Sequence, residues 1–66
     1  MINFEESKAG FLLTPYLGED FVCPAIPFET YREANATAQS MLQEGWTPII
    51  LTNRETLQQI RIEKTQ

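Results

Sequence analysis

The side chains that could carry out chemistry are few and lie far apart. The sequence contains no histidine, the residue that most often serves as a general base near neutral pH and as a metal ligand. Cys23 is the single cysteine, so the chain cannot form an internal disulfide, and its apolar sequence neighbours predict a buried structural thiol. One cysteine combined with carboxylates does not favour zinc, so no metal site is predicted.

The one carboxylate pair near a turn is equally unpromising as catalytic machinery. Glu19 and Asp20 follow Gly18, and polar residues at such a position are more typical of a solvated hairpin turn than of an acid and base pair. The three glycines are far apart, so the chain has no glycine-rich loop for phosphate. We therefore predict no catalytic residue and no cofactor, and we interpret the protein as not being an enzyme.

The distribution of charge predicts the kind of partner. The chain has nine acidic and five basic residues, a net charge of −4. Residues 1–29 contain five of the acids and one base, whereas residues 30–66 contain four of each. An acidic surface repels phosphates and attracts basic surfaces. We therefore expect a protein partner with a basic surface and no direct binding to nucleic acid, which requires lysine and arginine at the phosphates.

The length and the hydrophobic content indicate one small globular domain. A chain of 66 residues is near the lower limit for a single core, and 42% hydrophobic residues is too high for the disordered class. No apolar run reaches the roughly 18 residues that span a membrane, and the N-terminal residues lack the basic flank of a signal peptide. We expect a soluble cytoplasmic protein that does not bind membranes.

The segment from Thr30 to Trp46 has the start, the periodicity and the end of an α-helix. Thr30 and Glu33 predict a capping box, in which the threonine hydroxyl accepts from the Glu33 amide and the glutamate carboxylate reaches back to the Thr30 amide. At the other end, Gly45 supplies a left-handed residue, and Trp46 can pack on the last turn as in a Schellman motif. The apolar stripe between these ends consists of Tyr31, Ala34, Ala38, Met41 and Leu42.

Two apolar segments before the helix predict a β-hairpin. Its strands are expected at residues 10–17 and 21–28, which are joined by a short polar turn. Proline donates no ladder hydrogen bond, so prolines belong at edges, ends or bulges of a sheet. Pro15 and Pro24 would lie nearly opposite one another, where we expect distorted pairing. Pro27 is expected to end the second strand and lead the chain into the helix.

Two more strands are predicted after the helix. Residues 47–52 predict a well-buried strand, residues 53–56 a polar turn, and the alternation within residues 57–64 an edge strand. The fold class is therefore α+β: a single β-β-α-β-β domain over residues 1–66, with one helix packed on a small, mostly antiparallel, four-stranded sheet. Residues 1–9 could form a short edge strand or a loose arm.

The right-handed crossover rule leaves two orders for these four strands. Numbered along the chain, one order is 2-1-3-4, in which all neighbours are antiparallel, and the other is 1-2-3-4, with a parallel pair in the middle. We favour the first order because antiparallel pairing suits so small a sheet. Its drawback is that Pro15 then lies on an internal strand.

Three kinds of surface are candidates for contact with a partner. Seven aromatic residues are more than one helix on one sheet easily hides, so we expect one or two of Tyr16, Phe21 and Trp46 to be exposed. The outer helix face has few charges, which suits an interface, although an ordinary neutral surface has the same composition. One helix also leaves the second face of the sheet open. The predicted partner-binding residues are Glu5, Glu6, Tyr16, Glu19, Asp20, Phe21, Arg32, Asn35, Gln39, Gln43 and Trp46.

The order of elements around the helix resembles a class of small acidic β-β-α-β modules from bacteria and phages, which includes a coliphage inhibitor of bacterial RNA polymerase. The matching residues are 21–28, then Thr30, Glu33 and Ala34 of the helix start, then residues 46–52. This chain departs from that class in adding a fourth strand and in lacking an arginine pair on the third. The resemblance implies that the module acts by binding a larger protein.

The sequence therefore favours a non-catalytic protein-binding module that modulates or inhibits a larger partner, such as a phage or accessory regulator. The alternative is a structural or assembly protein that forms a homodimer or larger homo-oligomer through its sheet. A more distant alternative is an accessory subunit of an enzyme. The open apolar face of the sheet is common to the first two, because either a partner or a second copy would cover it.

Overall fold

A computed structural model describes residues 3–18 and 21–63, with Phe21 described by its backbone. Its elements are β1 (Phe11–Leu17), β2 (Phe21–Val22), β3 (Ile26–Phe28), α1 (Tyr31–Gln43), β4 (Ile49–Asn53) and β5 (Gln59–Ile62). The strands β2 and β3 are two pieces of the predicted second strand, and both pair with β1. The predicted α+β class, with one helix and an antiparallel sheet in β-β-α-β-β order, is confirmed.

The order of strands across the sheet is β2 and β3 on one side of β1, then β4, then β5. Every one of these strand pairs is antiparallel. In the numbering used for the prediction this is the 2-1-3-4 order, which was favoured over the order with a parallel pair. The first predicted strand, β1, therefore has neighbours on both sides, and Pro15 is buried within this internal strand.

A bulge opposite Pro15 explains why an internal strand tolerates this proline. Leu13 pairs with Ile26 and Tyr16 pairs with Val22, so three residues of the return strand lie opposite two residues of β1. The Tyr16 amide donates to the carbonyl of Pro48, the residue before β4, so this amide points toward the β4 side of β1. Because hydrogen bonds alternate sides along a strand, the Pro15 nitrogen faces the bulge, where no ladder donor is needed. The expected distortion of pairing is confirmed.

Pro27 was expected to end the second strand of the hairpin, but the strand continues for one more residue. Pro27 is the middle residue of β3, opposite Leu12, and the strand ends at Phe28. The strand is at the edge of the sheet, so the missing amide of Pro27 can face away from β1 without breaking the ladder. Cys23 lies in the bulge and is half-buried, so the expectation of a buried thiol is wrong.

The helix begins and ends as its sequence predicts, with one difference at the cap. The Thr30 hydroxyl accepts from the Glu33 amide at 3.2 Å, and the Glu33 carboxylate accepts from that hydroxyl at 3.0 Å rather than from the Thr30 amide. At the other end, the Gly45 amide donates to Leu42 and the Trp46 amide donates to Met41, the bond pattern of a Schellman motif. Gly45 has the positive φ of 106° that this motif requires.

The core lies between the helix and one face of the sheet. Burial alternates along β1 as far as Pro15 and along all of β4, so alternate side chains on the helix side are fully buried, whereas Leu17 at the end of β1 is 50% exposed. The apolar core residues are Phe11, Leu13, Ile49 and Leu51 from the strands and Ala34, Ala38 and Leu42 from the helix. Small alanines on the buried stripe let the helix lie close to the strands, which suits a thin two-layer domain.

The segment 3–9 contains no strand and is held in place by Asn53, the last residue of β4. Asn53 is fully buried, and its side-chain amide donates to the carbonyls of Phe4 and Glu6, both at 2.9 Å. The side-chain oxygen accepts from the amides of Glu55 at 2.8 Å and Thr56 at 3.2 Å. The sequence predicted Asn53 as the start of a polar turn, whereas it is a buried residue that joins the segment to the loop.

Two aromatic contacts complete the anchoring of this segment. The Phe4 ring lies 5.9 Å from the ring of Phe11 and 6.2 Å from the ring of Tyr31. Phe4 is thus packed between the first strand and the first turn of the helix. An edge strand and a loose arm were the two possibilities left open for residues 1–9. The part of this segment that the structure describes is instead a turn-containing segment packed against the core.

Candidate interaction surface

The face of the sheet opposite the helix has no second layer within the described chain. Its side chains alternate with the core residues, and pairing places them side by side in rows across the strands. We call this surface the outer face. It consists of Leu12, Thr14, Tyr16, Val22, Pro27, Ile50, Thr52, Gln59 and Arg61.

The centre of the outer face is neutral and partly apolar. Leu12 pairs with Thr52, and Ile50 pairs with Thr14, so apolar and threonine side chains alternate in a two-by-two block. All four are half-buried by their own neighbours and keep part of their surface open to solvent. Val22, at one side, is 50% exposed. The sequence predicted apolar side chains on both faces of these strands, and the two threonines make the outer face less apolar than that.

Polar groups lie along the β5 side of the outer face. Gln59 donates from its amide to the Thr52 hydroxyl at 3.2 Å. The guanidinium of Arg61 lies 3.1 Å from the carboxylate of Glu63, and both side chains are more than half exposed. A surface with a neutral, partly apolar centre and a polar rim is the usual composition of a protein–protein interface. An exposed ion pair of this kind contributes little to stability, so its position on the surface matters more than its strength.

The predicted partner-binding residues lie on separate surfaces. Tyr16 is on the outer face and half-buried, whereas Glu5 and Glu6 are exposed on the segment that Asn53 anchors. Trp46 is partly buried against the core and is less open than expected. Glu19 and Asp20 lie outside the described residues. Phe21 has its backbone in β2, opposite Leu17.

The four predicted residues of the helix form a separate group. Arg32, Gln39 and Gln43 are exposed, and Asn35 is half-buried and accepts a hydrogen bond of 3.5 Å from Gln39. This group lies on one flank of α1, beside the buried stripe that faces the strands. The helix group and the outer face therefore belong to different surfaces of the domain and cannot form one continuous contact with a small partner.

The residues that the sequence analysis did not single out include Leu12 and Ile50 at the centre of the outer face. The sequence alone carries little signal for them, because adjacent residues of β1 and β4 are both apolar and the buried row is evident only from the structure. Leu57 is a second omission. It is 74% exposed, with a positive φ of 66°, in the loop between β4 and β5. It was predicted as the first residue of the last strand, which begins instead at Gln59.

An open cleft of about 630 Å³ lies beside the start of the helix. It is lined by Lys8, Ala9, Gly10, Pro27, Phe28, Glu29, Thr30 and Arg54. Gly10 lies where a Cβ would come within 2.5 Å of the Phe28 carbonyl oxygen, so only glycine fits between the two backbones. The lining mixes two cations with a carboxylate and shows no convergent set of catalytic groups. Within residues 3–18 and 21–63, no cluster of three metal-binding side chains occurs.

Comparison of the chain with protein-family models, with curated proteins and with solved structures found no match. In the part of the chain that the structure describes, no helix is both long enough and apolar enough to cross a membrane.

Proposed function

We propose that this protein is a non-catalytic binding module that contacts a larger protein through the outer face and thereby modulates or inhibits it. The observation that carries the proposal is that no second layer of the described residues covers Leu12 and Ile50, whereas the helix covers the central strands on the other face of the sheet. Antiparallel sheets with one solvated face normally carry polar residues there. Here the centre of that face contains large aliphatic side chains, which gain free energy when a partner covers them.

The free energy gained by covering the outer face is large enough for a specific contact. Each Å² of apolar surface removed from water contributes about 25 cal/mol, so covering even a few hundred Å² provides several kcal/mol before the costs of association. The threonine hydroxyls and the polar rim supply hydrogen-bonding groups that reduce non-specific aggregation. Anchors of this kind on a rigid sheet need little rearrangement on binding, which keeps the entropic cost low.

Charge favours a basic partner. The chain has a net charge of −4, and Glu5 and Glu6 are exposed on an anchored segment. Exposed acids of this kind steer a basic surface toward the module and raise the association rate more than the final affinity. This is the behaviour expected of a phage or accessory regulator like the small acidic modules that the sequence resembles.

Self-association through the sheet is the second candidate function, because a second copy could cover the same outer face. The centre of that face carries no charge, and Arg61 and Glu63 at its rim cancel. Two copies would therefore meet there without the repulsion expected from their net charges. A role as an accessory subunit of an enzyme remains a third proposal and would use the same surface.

The decisive experiment is affinity purification from the native host, followed by mass spectrometry, with a pair of matched variants. Ile50→Lys places a charge at the centre of the outer face, and Gln43→Lys places the same charge on the exposed helix surface. The proposal requires a protein that wild type and Gln43→Lys retain and that Ile50→Lys loses. If both variants retain the same proteins as wild type, the outer face is not the contact.

The steering role of the acidic segment is tested with the purified partner. Glu5→Lys should slow association, and added salt should slow association of the wild-type protein. Glu44→Lys changes the net charge equally but lies at the end of the helix, and it is the control. Equal association rates for the two variants would show that net charge, rather than the anchored segment, governs the encounter.

A further inference from the structure

The strand β5 has one neighbour in the described part of the chain, β4, and its other side is open. The Asn53 amide donates to the Gln58 carbonyl at 2.8 Å, which sets the alternation of the ladder between the two strands. Ile60 and Ile62 therefore direct their backbone groups toward β4. Gln59 and Arg61, which alternate with them, direct their amides and carbonyls away from the sheet. Glu63 continues this alternation.

The opposite edge of the sheet cannot serve as a similar template. It is divided into β2 and β3 by a three-residue interruption, and it contains Pro24 and Pro27, which have no amide to donate. Bulges and prolines are the usual devices that prevent pairing at an edge. The β5 edge has neither device, so the two edges of the sheet are not equivalent.

We propose that two copies of this chain associate by antiparallel pairing of β5 with β5, with Arg61 of each copy opposite Glu63 of the other. In this register Ile62 lies opposite Ile62 on the helix side. The arrangement is a closed twofold dimer, in which the same edge is used by both copies and no edge of this kind is left to continue the assembly.

Charge selects this register among those that the backbone allows. Only residues whose backbone groups point outward can exchange hydrogen bonds across the new ladder, which restricts the pairs to Gln59, Arg61 and Glu63. Pairing Arg61 with Arg61, or Glu63 with Glu63, puts like charges directly opposite, which is unfavourable. Pairing Arg61 with Gln59 leaves Glu63 without a cross-strand cation. Pairing Arg61 with Glu63 makes two opposite-charge pairs by symmetry.

The half-buried side chains on the helix-facing side of β5 support the same arrangement. Ile60 and Ile62 pack against the core but remain partly open to solvent, because β5 is the outermost strand on that side. A second β5 beside them would cover part of this surface. The dimer would have one continuous sheet with both outer faces on the same side. The inference concerns the edge of the sheet and does not depend on the proposed function of the outer face.

Charge-swap variants studied by sedimentation velocity over a range of concentrations test the register. Wild type should show a concentration-dependent dimer, and Arg61→Glu or Glu63→Arg alone should weaken it by roughly tenfold, because each puts like charges opposite one another. The double variant should restore wild-type association, and an equimolar mixture of the two single variants should associate at least as well as wild type. A wild-type protein that stays monomeric at millimolar concentration, or a double variant as weak as the single ones, overturns the proposal.

Amide hydrogen exchange distinguishes edge pairing from a dimer formed through the outer faces. The charge-swap variants alone do not, because Arg61 and Glu63 also lie at the rim of the outer face. Raising the concentration above the dissociation constant should slow exchange at the Arg61 and Glu63 amides. The Ile60 and Ile62 amides, already bonded to β4 within one chain, serve as internal controls and should change less. A dimer in which the Arg61 and Glu63 amides exchange as fast as in the monomer would overturn edge pairing. Both residues are exposed, so the substitutions do not disturb the core.

Discussion

The two faces of this sheet are built from the same strands and differ in almost every physical respect. On the helix side of β4, Ile49 and Leu51 are fully buried, whereas Ile50 between them is half-buried on the outer face. The difference comes from the helix, which covers one face of the sheet, whereas no other described element covers the second face. A domain of this size thus obtains its stability from one face and has the other available for contact with a partner.

The comparison also shows that burial and hydrophobicity are separate properties in so small a protein. The helix face includes one polar side chain, Asn53, which is fully buried and fully hydrogen-bonded. The outer face includes Leu12 and Ile50, which are aliphatic and partly exposed. Stability and binding should therefore respond to different residues, and substitutions along β4 can separate them.

The largest effect is expected from truncating neighbouring residues that face opposite ways. Leu51→Ala removes a fully buried side chain and should lower the free energy of unfolding by about 2–5 kcal/mol. Ile50→Ala should cost less than about 1.5 kcal/mol, because that side chain is already partly in water. Denaturant unfolding of the two variants measures both. Equal losses would show that the outer face is as much a part of the core as the helix face.

The second prediction concerns the polar residue in the buried row. Asn53→Ala leaves the carbonyls of Phe4 and Glu6 and the amides of Glu55 and Thr56 without their partner, and should cost about 3 kcal/mol. Asn53→Asp keeps the acceptor and loses the donors, so we expect amides of the Phe4 segment to exchange faster than those of the loop. A loss below about 0.5 kcal/mol for Asn53→Ala would mean that water replaces these bonds without cost.

The third prediction tests what keeps the helix on its face of the sheet. Thr30→Ala removes the oxygen that accepts the Glu33 amide and should lower stability by about 0.5–2 kcal/mol. Ser40→Ala removes a hydroxyl from the exposed middle of the helix and should be neutral or slightly stabilising, because alanine has the higher helix propensity. Thermal melting compares the two variants. A Thr30→Ala protein as stable as the Ser40→Ala protein would show that the Thr30 cap does not stabilise the start of the helix.

Much of this fold follows from local sequence patterns because the forces involved are local. The cap at Thr30, the stop at Gly45 and the alternation within the last strand each depend on residues a few positions apart, and each was predicted. The bulge opposite Pro15 was expected for the same reason, since a missing amide must face an interruption. The choice of strand order required one further step, a preference for antiparallel neighbours.

The parts that were not predicted depend on contacts across long sequence distances. Asn53 bonds to Phe4 and Glu6, which are 49 and 47 residues away, and nothing near Asn53 in the sequence distinguishes it from a turn residue. The candidate site was predicted in part. The open face and Tyr16 were identified, but Leu12 and Ile50 were not singled out, because both faces of these strands are apolar in sequence and cannot be told apart until the helix is placed.

The smallest expected effect is an increase in the free energy of unfolding, and it concerns a loop residue outside both faces of the sheet. Leu57, in the loop that joins β4 to β5, combines a φ of 66° with 74% exposure, and both are unfavourable for leucine. Leu57→Gly should raise the free energy of unfolding by about 0.5–1 kcal/mol, because glycine adopts this conformation without steric cost. Leu57→Ala is the control, since it removes the exposed side chain and keeps the strained backbone. Denaturant midpoints should therefore rank glycine above alanine at this position. If the alanine variant equals or exceeds the glycine variant, the loop holds its left-handed residue without strain, and the leucine is then only an exposed side chain.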